Sequence, residues 1–478
     1  MLRVARPVLS SRVAGFALAA VACFGLHSVD GQTFSERFEA IKNEATREEL
    51  YALLWDLPKG GDLHNHLGGA GAPATWFDIA TDAERNGGQV FYTRTRIENC
   101  GSCPAELTLF HMLRSDQVSG LSECCRREYR SLDELSESEQ ARWLSSFMID
   151  QPGEGRDEFF EKIWLRNGAL TSEAGVLEEV MFNNMKRFAA ERVRYVEWQS
   201  GVLGKTHRGR PLSPNEFADR LRARLARDDA VATGVEVRFQ ANVLRFHPRA
   251  EEMVEQSYAF VFENRSDWVS VNLVGREDND KGYPLRFLDT FRRMRQRFHG
   301  VSLAIHGGEV DEPNRHVRET LLLGARRIGH AINLIDDPDT LLLMRNGPFL
   351  IETSLVSNHL LDYADPTLHP FVEYLRLGIP VALSTDDRGM WDSNMTDEYM
   401  RAVVDFNLSW REIKTITRDS LKHAFMDEET RSRLLDDLNR ELAAFEVSYA
   451  GDDWRRSLQS VHPQVSGYAE RHFFSNAP

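Results

Sequence analysis

Positive charge is what this chain is short of. Its 478 residues carry 58 Lys and Arg against 73 Asp and Glu, a formal charge of −15. No basic stripe is available to neutralise a nucleic-acid backbone, which excludes that class of partner. The acidity itself speaks to solubility and not to fold. Long apolar runs are also missing. Beyond the N-terminal segment nothing approaches the roughly 20 apolar residues of a transmembrane helix. Cysteine is scarce, with five in all. What remains is globular in composition, 42% apolar and 27% charged, so a large core can form. The length suits one large domain with insertions or two ordinary ones.

No acidic residue precedes Asp30, while Arg3, Arg6 and Arg12 form a basic lead. Val13 to Leu26 is an apolar run too short to cross a membrane. The pattern predicts a secretory signal over residues 1–31, cleaved after Gly31 with Val29 at −3. Ala20-Val21-Ala22-Cys23 loosely resembles a bacterial lipoprotein box without its usual bulky first residue. A lipid anchor at Cys23 is therefore the alternative. The expected destination is the periplasm or the exterior. In that setting Cys100, Cys103, Cys124 and Cys125 read as two disulfides stapling a loop. Cross-pairing is favoured over a strained bridge between Cys124 and Cys125, and a structural zinc site is the alternative.

Residues 35–55 show helical periodicity and end at Pro58, giving an N-terminal helix within 32–58. Strand patterns follow at 61–67, 194–199, 235–244, 268–275, 301–306, 327–331, 349–354 and 379–384. Most are dense in apolar and β-branched residues, as strands buried on both faces should be. Helical patterns at 217–225, 250–264, 285–298, 315–323, 337–344 and 370–377 alternate with them. Eight strands alternating with helices predict an α/β fold, a TIM (β/α)8 barrel over 59–443. No glycine-rich dinucleotide fingerprint follows the first strand, which disfavours an open doubly wound sheet. The gap between the first two strands is too long for one crossover. Residues 159–192 are helical by pattern, and about 81–155 form an insertion carrying all four of those cysteines. It reads either as a lid or side module over the barrel mouth or as an inert elaboration. Residues 444–478 form a tail expected to pack outside.

Four of the strands end in chemistry: Leu63-His64-Asn65-His66-Leu67, Ile305-His306-Gly307-Gly308-Glu309, Ile328-Gly329-His330 and Ser384-Thr385-Asp386-Asp387. His64 and His66, two apart on a strand, project from one face. Alone, each motif is weak. Together they fall at the C-terminal ends of strands one, five, six and eight, which a barrel gathers at one mouth. Three imidazoles and a carboxylate, with one position left for water, make a catalytic zinc-type set. Strand four offers no Lys, Glu or Cys to bridge a second metal, so one ion per chain is expected.

These motifs resemble those of the adenosine/AMP deaminase family. Val274-Gly275-Arg276-Glu277-Asp278 resembles its strand-four glycine segment, and Glu352-Thr353-Ser354-Leu355-Val356-Ser357-Asn358 its strand-seven segment. The likeness runs from about residue 57 to about 434, the insertion excepted. The export signal and extra length are similar to secreted, growth-factor-type members. The resemblance implies that His64, His66, His306 and Asp386 bind one Zn2+. It implies that Glu309 protonates N1 of a purine, that His330 and Asp387 orient and deprotonate the attacking water, and that Gly275 offers its N–H to the ring. The implied activity is deamination of adenosine or a related 6-aminopurine nucleoside. One position departs from the family pattern. Where relatives carry an acidic ribose contact two residues past the second His, this chain has Gly68. That leaves a 5′-modified adenosine such as methylthioadenosine as an alternative substrate. AMP is disfavoured because no basic cluster for a phosphate lies beside the motifs. Another amidohydrolase and a secreted binding or signalling protein on a retired barrel are the rival readings. The motifs leave the oligomeric state open.

Overall fold

The β-rich runs form eight strands: β1 Gly60–His66, β2 Val193–Ser200, β3 Glu236–Leu244, β4 Trp268–Val274, β5 Ser302–Gly307, β6 Arg327–His330, β7 Leu350–Thr353 and β8 Val381–Leu383. They come from a computed structural model that describes residues 33–98, 103, 108–365 and 367–475. The expected signal segment, Cys23 and Cys100 lie outside those residues. All eight strands are parallel and paired in sequence order. The ring closes where Asp386 N–H donates to the His64 carbonyl at 2.9 Å and His66 N–H to the Asp386 carbonyl at 3.2 Å. The fold is the expected (β/α)8 barrel. Closure and placement of the motif side chains are one event here, because the residues that seal the ring belong to two of the motifs.

A barrel interior usually takes branched apolar side chains. One layer of this one is charged. Arg327 lies 2.6 Å from Glu197 and 2.7 Å from Glu352, all fully buried. Burying such ions costs solvation, so the triad is a poor argument for stability. Its effect is positional, since Glu352 also grips His64.

Three expectations are corrected. The N-terminal helix is two helices, Phe34–Glu44 and Arg47–Asp56, because Thr46 and Glu49 form a capping box that restarts the chain. Residues 159–192 are not one helix. A π-helical turn at Phe159–Ile163 leads into short turns at Trp164–Arg166 and Gly168–Ser172, and a regular helix runs only over Ala174–Ala190. Glu173 breaks the run because its carboxylate leaves to bond Thr206 and the Arg208 N–H at 2.9 and 2.7 Å. The boundary expected between 443 and 444 falls inside a helix. A helix spans Glu428–Tyr449, and beyond it Tyr468 is fully buried while Ser466 donates to Asp397 at 2.6 Å.

The insertion holds a three-stranded antiparallel sheet with Phe91–Arg94 between Met112–Arg114 and Tyr129–Ser131. A disulfide joins Cys103 to Cys125, and Cys124 is disulfide-bonded too. The bridged sulfurs are not available as thiolate ligands, which removes them from the structural-zinc alternative. A helix follows over Glu137–Ser145, and its Trp143 packs on Phe77. The segment that overhangs the mouth is the one just after the insertion, around Arg156 to Arg166. Arg156 pairs with Asp311 at 2.8 Å, and Arg276 with Asp157 at 2.7 Å, tying it to the loops after β5 and β4.

Candidate metal centre at the barrel mouth

His66 Nε2 lies 3.2 Å from Asp386 Oδ1 and 3.3 Å from His306 Nε2, and His64 Nε2 lies 3.7 Å from the same Asp386 oxygen. The expected ligand set is thus gathered, and it is almost wholly buried. Whether a cation fits depends on which nitrogens bear hydrogen. Gln240 Nε2 donates to the Leu63 carbonyl, so its Oε1 accepts from Asn272 Nδ2 at 3.0 Å. Asn272 Oδ1 then accepts from His306 Nδ1–H at 3.0 Å. That leaves His306 Nε2 with a lone pair aimed at His66. Burial and the neighbouring imidazoles push the His306 pKa well down, keeping it neutral. His64 Nδ1–H donates to Glu352 at 2.9 Å, and its Nε2 is buried with no hydrogen-bond partner. Burial lowers the His64 pKa, but the Glu352 hydrogen bond and the Asp386 charge outweigh it, so the net shift is upward. The field at Nε2 thus favours positive charge. Converging lone pairs beside a carboxylate are the donor set of a divalent cation.

Asp386 is an acceptor throughout. Burial raises its pKa, yet the His66 hydrogen bond and the nearby imidazole charges hold it well below the usual carboxylate range. Ser357 Oγ donates to its other oxygen at 2.6 Å.

His330 lies in the same cluster, but its tautomer sets it apart from the ligands. The Phe371 N–H donates to His369 Nδ1 at 3.2 Å, so His369 Nε2–H donates to Asn358 Oδ1 at 3.1 Å. Asn358 Nδ2 then donates to His330 Nδ1 at 3.1 Å. The proton of a neutral His330 is therefore on Nε2, which points to Glu309 at 3.6 Å. Burial, then the charge on His64, pushes the His330 pKa down to about 3. It is a neutral donor, not a fourth nitrogen ligand. Its backbone is held at φ +66° and that of Asp386 at φ +53°, in the left-handed region. Such non-glycine positions cost on the order of 1–3 kcal/mol each and cluster at working sites.

Glu309 and Asp387 complete the mouth. Burial, then the Asp386 charge, pushes both carboxyl pKa values well up. The backbone N–H groups of Gly308 and Glu309 donate to Glu277 at 3.1 and 3.2 Å, which fixes the turn that presents Glu309. Burial works against the Glu277 charge, but Arg245 at 3.3 Å and His316 at 2.6 Å hold its pKa down at about 2. Gly275 follows β4 at φ +93°, and a Cβ there would meet Leu244 at 2.7 Å. Trp164 stands over the first motif, its ring centroid 6.2 Å from that of His66. A Cβ on Gly68 would meet the Trp164 ring at 3.1 Å. The indole takes up the room an acidic side chain at position 68 would use.

All eight sequence-derived site residues lie at this mouth. The quoted segments contained Glu277, Glu352, Ser357 and Asn358 but gave them no role, and Asn272 and Trp164 went unread.

An adenosine deaminase family model matches residues 139–441, more than half the chain. The span includes Gly275, His306, Glu309, His330, Asp386 and Asp387 but begins after His64 and His66. The adenosine deaminase of Plasmodium falciparum is 25% identical over 325 residues, covering 65% of this chain and 82% of that one. Two solved structures share the fold. An N6-mAMP deaminase from Arabidopsis has TM-score 0.58 and 19% identity, over 81% of this chain and 99% of its own. An amidohydrolase from Burkholderia ambifaria with bound Zn has TM-score 0.56 and 18% identity, over 89% and 98%.

Proposed function

The chain belongs to the adenosine deaminase family, and from that premise we propose that it is a zinc-dependent hydrolase converting adenosine, or a related 6-aminopurine nucleoside, to the inosine-type product and ammonia. The observation that carries the reading is the division of labour at the mouth. His64 and His66 turn Nε2 toward the Asp386 carboxylate with His306 beside them, while Glu309 and His330 face each other at 3.6 Å. One side holds a cation and the other delivers protons.

A zinc ion held there supplies Lewis acidity that lets water lose a proton near pH 7. The chain's own groups do the rest. His330 Nε2–H donates to the water oxygen and orients it. Asp387 takes the water proton; a cation held beside it would offset the Asp386 charge that pushes its pKa up and leave it ionised for that role. Glu309, kept protonated by burial, gives its proton to N1 as the oxygen bonds to C6. Asp387 then passes its proton to the amino nitrogen, the C6–N bond breaks, and the hydroxyl proton restores Glu309. Gly275 N–H bonds the next ring nitrogen. Trp164, standing over the first motif, would limit access of bulk water.

A 5′-modified adenosine is the second reading, favoured by Gly68 and by the indole that fills its surroundings. A panel of adenosine, 2′-deoxyadenosine, 5′-deoxyadenosine, methylthioadenosine, adenine and AMP, compared by kcat/KM with ammonia release as readout, tests both. The first reading expects adenosine or its 2′-deoxy analogue to lead. A lead by methylthioadenosine or 5′-deoxyadenosine selects the second, and no release from any of them rejects the activity. Export is part of the proposal and is supported by the disulfide. Recovering the protein from the cytoplasm with its full N-terminus would reject it.

A further inference from the structure

We propose that Gln199, at the end of β2, is a specificity residue that hydrogen-bonds a hydroxyl of the substrate's sugar. The inference rests on the nucleoside deaminase reading and names how the sugar end of that site is read.

Gln199 is 0% exposed, and neither its Oε1 nor its Nε2 has a hydrogen-bond partner. Buried amides without partners are rare because the lost hydration goes uncompensated. Its direction follows from the ladder. It pairs with His66 on one side and with Gln240 on the other. His66 points to the metal centre. Gln240 points inward, bonding the Leu63 carbonyl at 3.0 Å and Glu197 at 3.1 Å. Side chains at paired positions share a face, and Glu197, two residues earlier on β2, is also inside. Gln199 therefore projects inward beside His66, one layer above Glu197. Asn242, two residues past Gln240 on β3, lies one layer higher on the same face, its register partner being the inward Asn272. A Cβ on Gly201 would lie 3.3 Å from Asn242 Oδ1.

The purine's orientation brings the sugar to these amides. In the proposed reading C6 faces the metal, N1 meets Glu309 after β5, and the next ring nitrogen meets Gly275 after β4. Passing round the ring from N1 through N3, the next nitrogen is N9, which bears the sugar. Passing round the barrel from β5 through β4, the next strands are β3 and β2. The sugar edge thus faces Asn242 and Gln199, on the side where Gly68 and Gly69 offer no side-chain hydrogen bond. A Gln amide can both donate to and accept from a hydroxyl.

The test compares wild type with Gln199→Met, similar in length but without the amide, on adenosine and its 2′-, 3′- and 5′-deoxy analogues. Wild type should prefer adenosine over one of the three, and that ratio of kcat/KM values should fall at least about fivefold in the variant, the effect of one lost neutral hydrogen bond. Each ratio is taken on one preparation, so the fraction folded cancels. A variant that loses activity equally on all four substrates, or keeps the wild-type ratios, overturns the assignment while leaving the deaminase reading intact. A wild type inert on all four overturns the deaminase reading and this inference with it.

Discussion

Gly69 and Gly68 are neighbours in sequence, and the same substitution should do opposite things at the two. A Cβ added at Gly69 would lie 1.6 Å from Asp387 Oδ1, 2.5 Å from its Cγ and 2.8 Å from its Cβ. No two such atoms tolerate that approach. The Asp387 backbone cannot retreat easily, because its carbonyl accepts from the N–H groups of Met390 and Trp391 at 2.7 and 3.1 Å. The carboxyl must therefore swing away. Misplacing a reacting group by about 1 Å costs roughly a hundredfold, and losing a proton-transfer group about a hundred- to ten-thousand-fold. Gly69→Ala should thus lower kcat by at least about a hundredfold, with a packing cost of about 1–3 kcal/mol. At Gly68 the added carbon meets the Trp164 ring edge at 3.1 Å and Thr171 Cγ2 at 3.2 Å, and both can give by a few tenths of an ångström. Gly68→Ala should keep kcat within about tenfold and cost under about 1.5 kcal/mol. The assay is ammonia release per metal-loaded chain, with thermal unfolding measured alongside. A Gly69→Ala variant within tenfold of wild type, or Gly68→Ala as the more damaged of the two, would refute the placement of Asp387 in proton transfer.

Glu309→Gln should keep zinc and nucleoside binding but lose about a hundred- to ten-thousand-fold in turnover, since an amide cannot deliver the proton; near-native kcat would sink that role. His306→Ala should lose its zinc and its activity together, and metal analysis showing one full equivalent in the variant would contradict the ligand set. Glu277 has a pKa held down at about 2, so its contribution to stability is complete above the unfolded value near 4.5 and is lost as pH falls toward 2. Glu277→Gln should flatten that acid limb of the stability curve and, by leaving Arg245 buried without its anion, cost about 3–5 kcal/mol at neutral pH; an unchanged limb in urea titrations at several pH values would count against it. Thiol titration of the unfolded, unreduced protein should find Cys103 and Cys125 unreactive, with alkylation of either as the adverse result.

The barrel was legible because its strands are buried on both faces and announce themselves as dense apolar runs. The residues proposed for metal binding and proton transfer were legible because each terminates such a run. Their supports were not, since partners such as Glu352 for His64 and Asn358 for His330 are chosen by the register of non-adjacent segments. No local pattern distinguishes them from other polar residues near strand ends. The tautomer of His330 depends on a backbone N–H at Phe371, three links away. Trp164 reads by periodicity as an ordinary apolar helix position, and only the π-helical turn before it and the break at Glu173 turn it over the mouth. The restart at Thr46 did carry a signal, Thr46-x-x-Glu49, that outweighed the apolar spacing around it. Tyr468 had none, as its burial depends on where the tail returns.

The central claim is that these converging side chains hold one ion and use it to take ammonia from a purine nucleoside. Ammonia and inosine released from adenosine by the purified protein, measured as prepared, after chelation and after adding back one equivalent of zinc, test it most directly. The account predicts equimolar products, their loss on chelation and their return with zinc. A folded protein that holds one equivalent of zinc and releases ammonia from no purine nucleoside, or one whose activity survives complete removal of the metal, would contradict it.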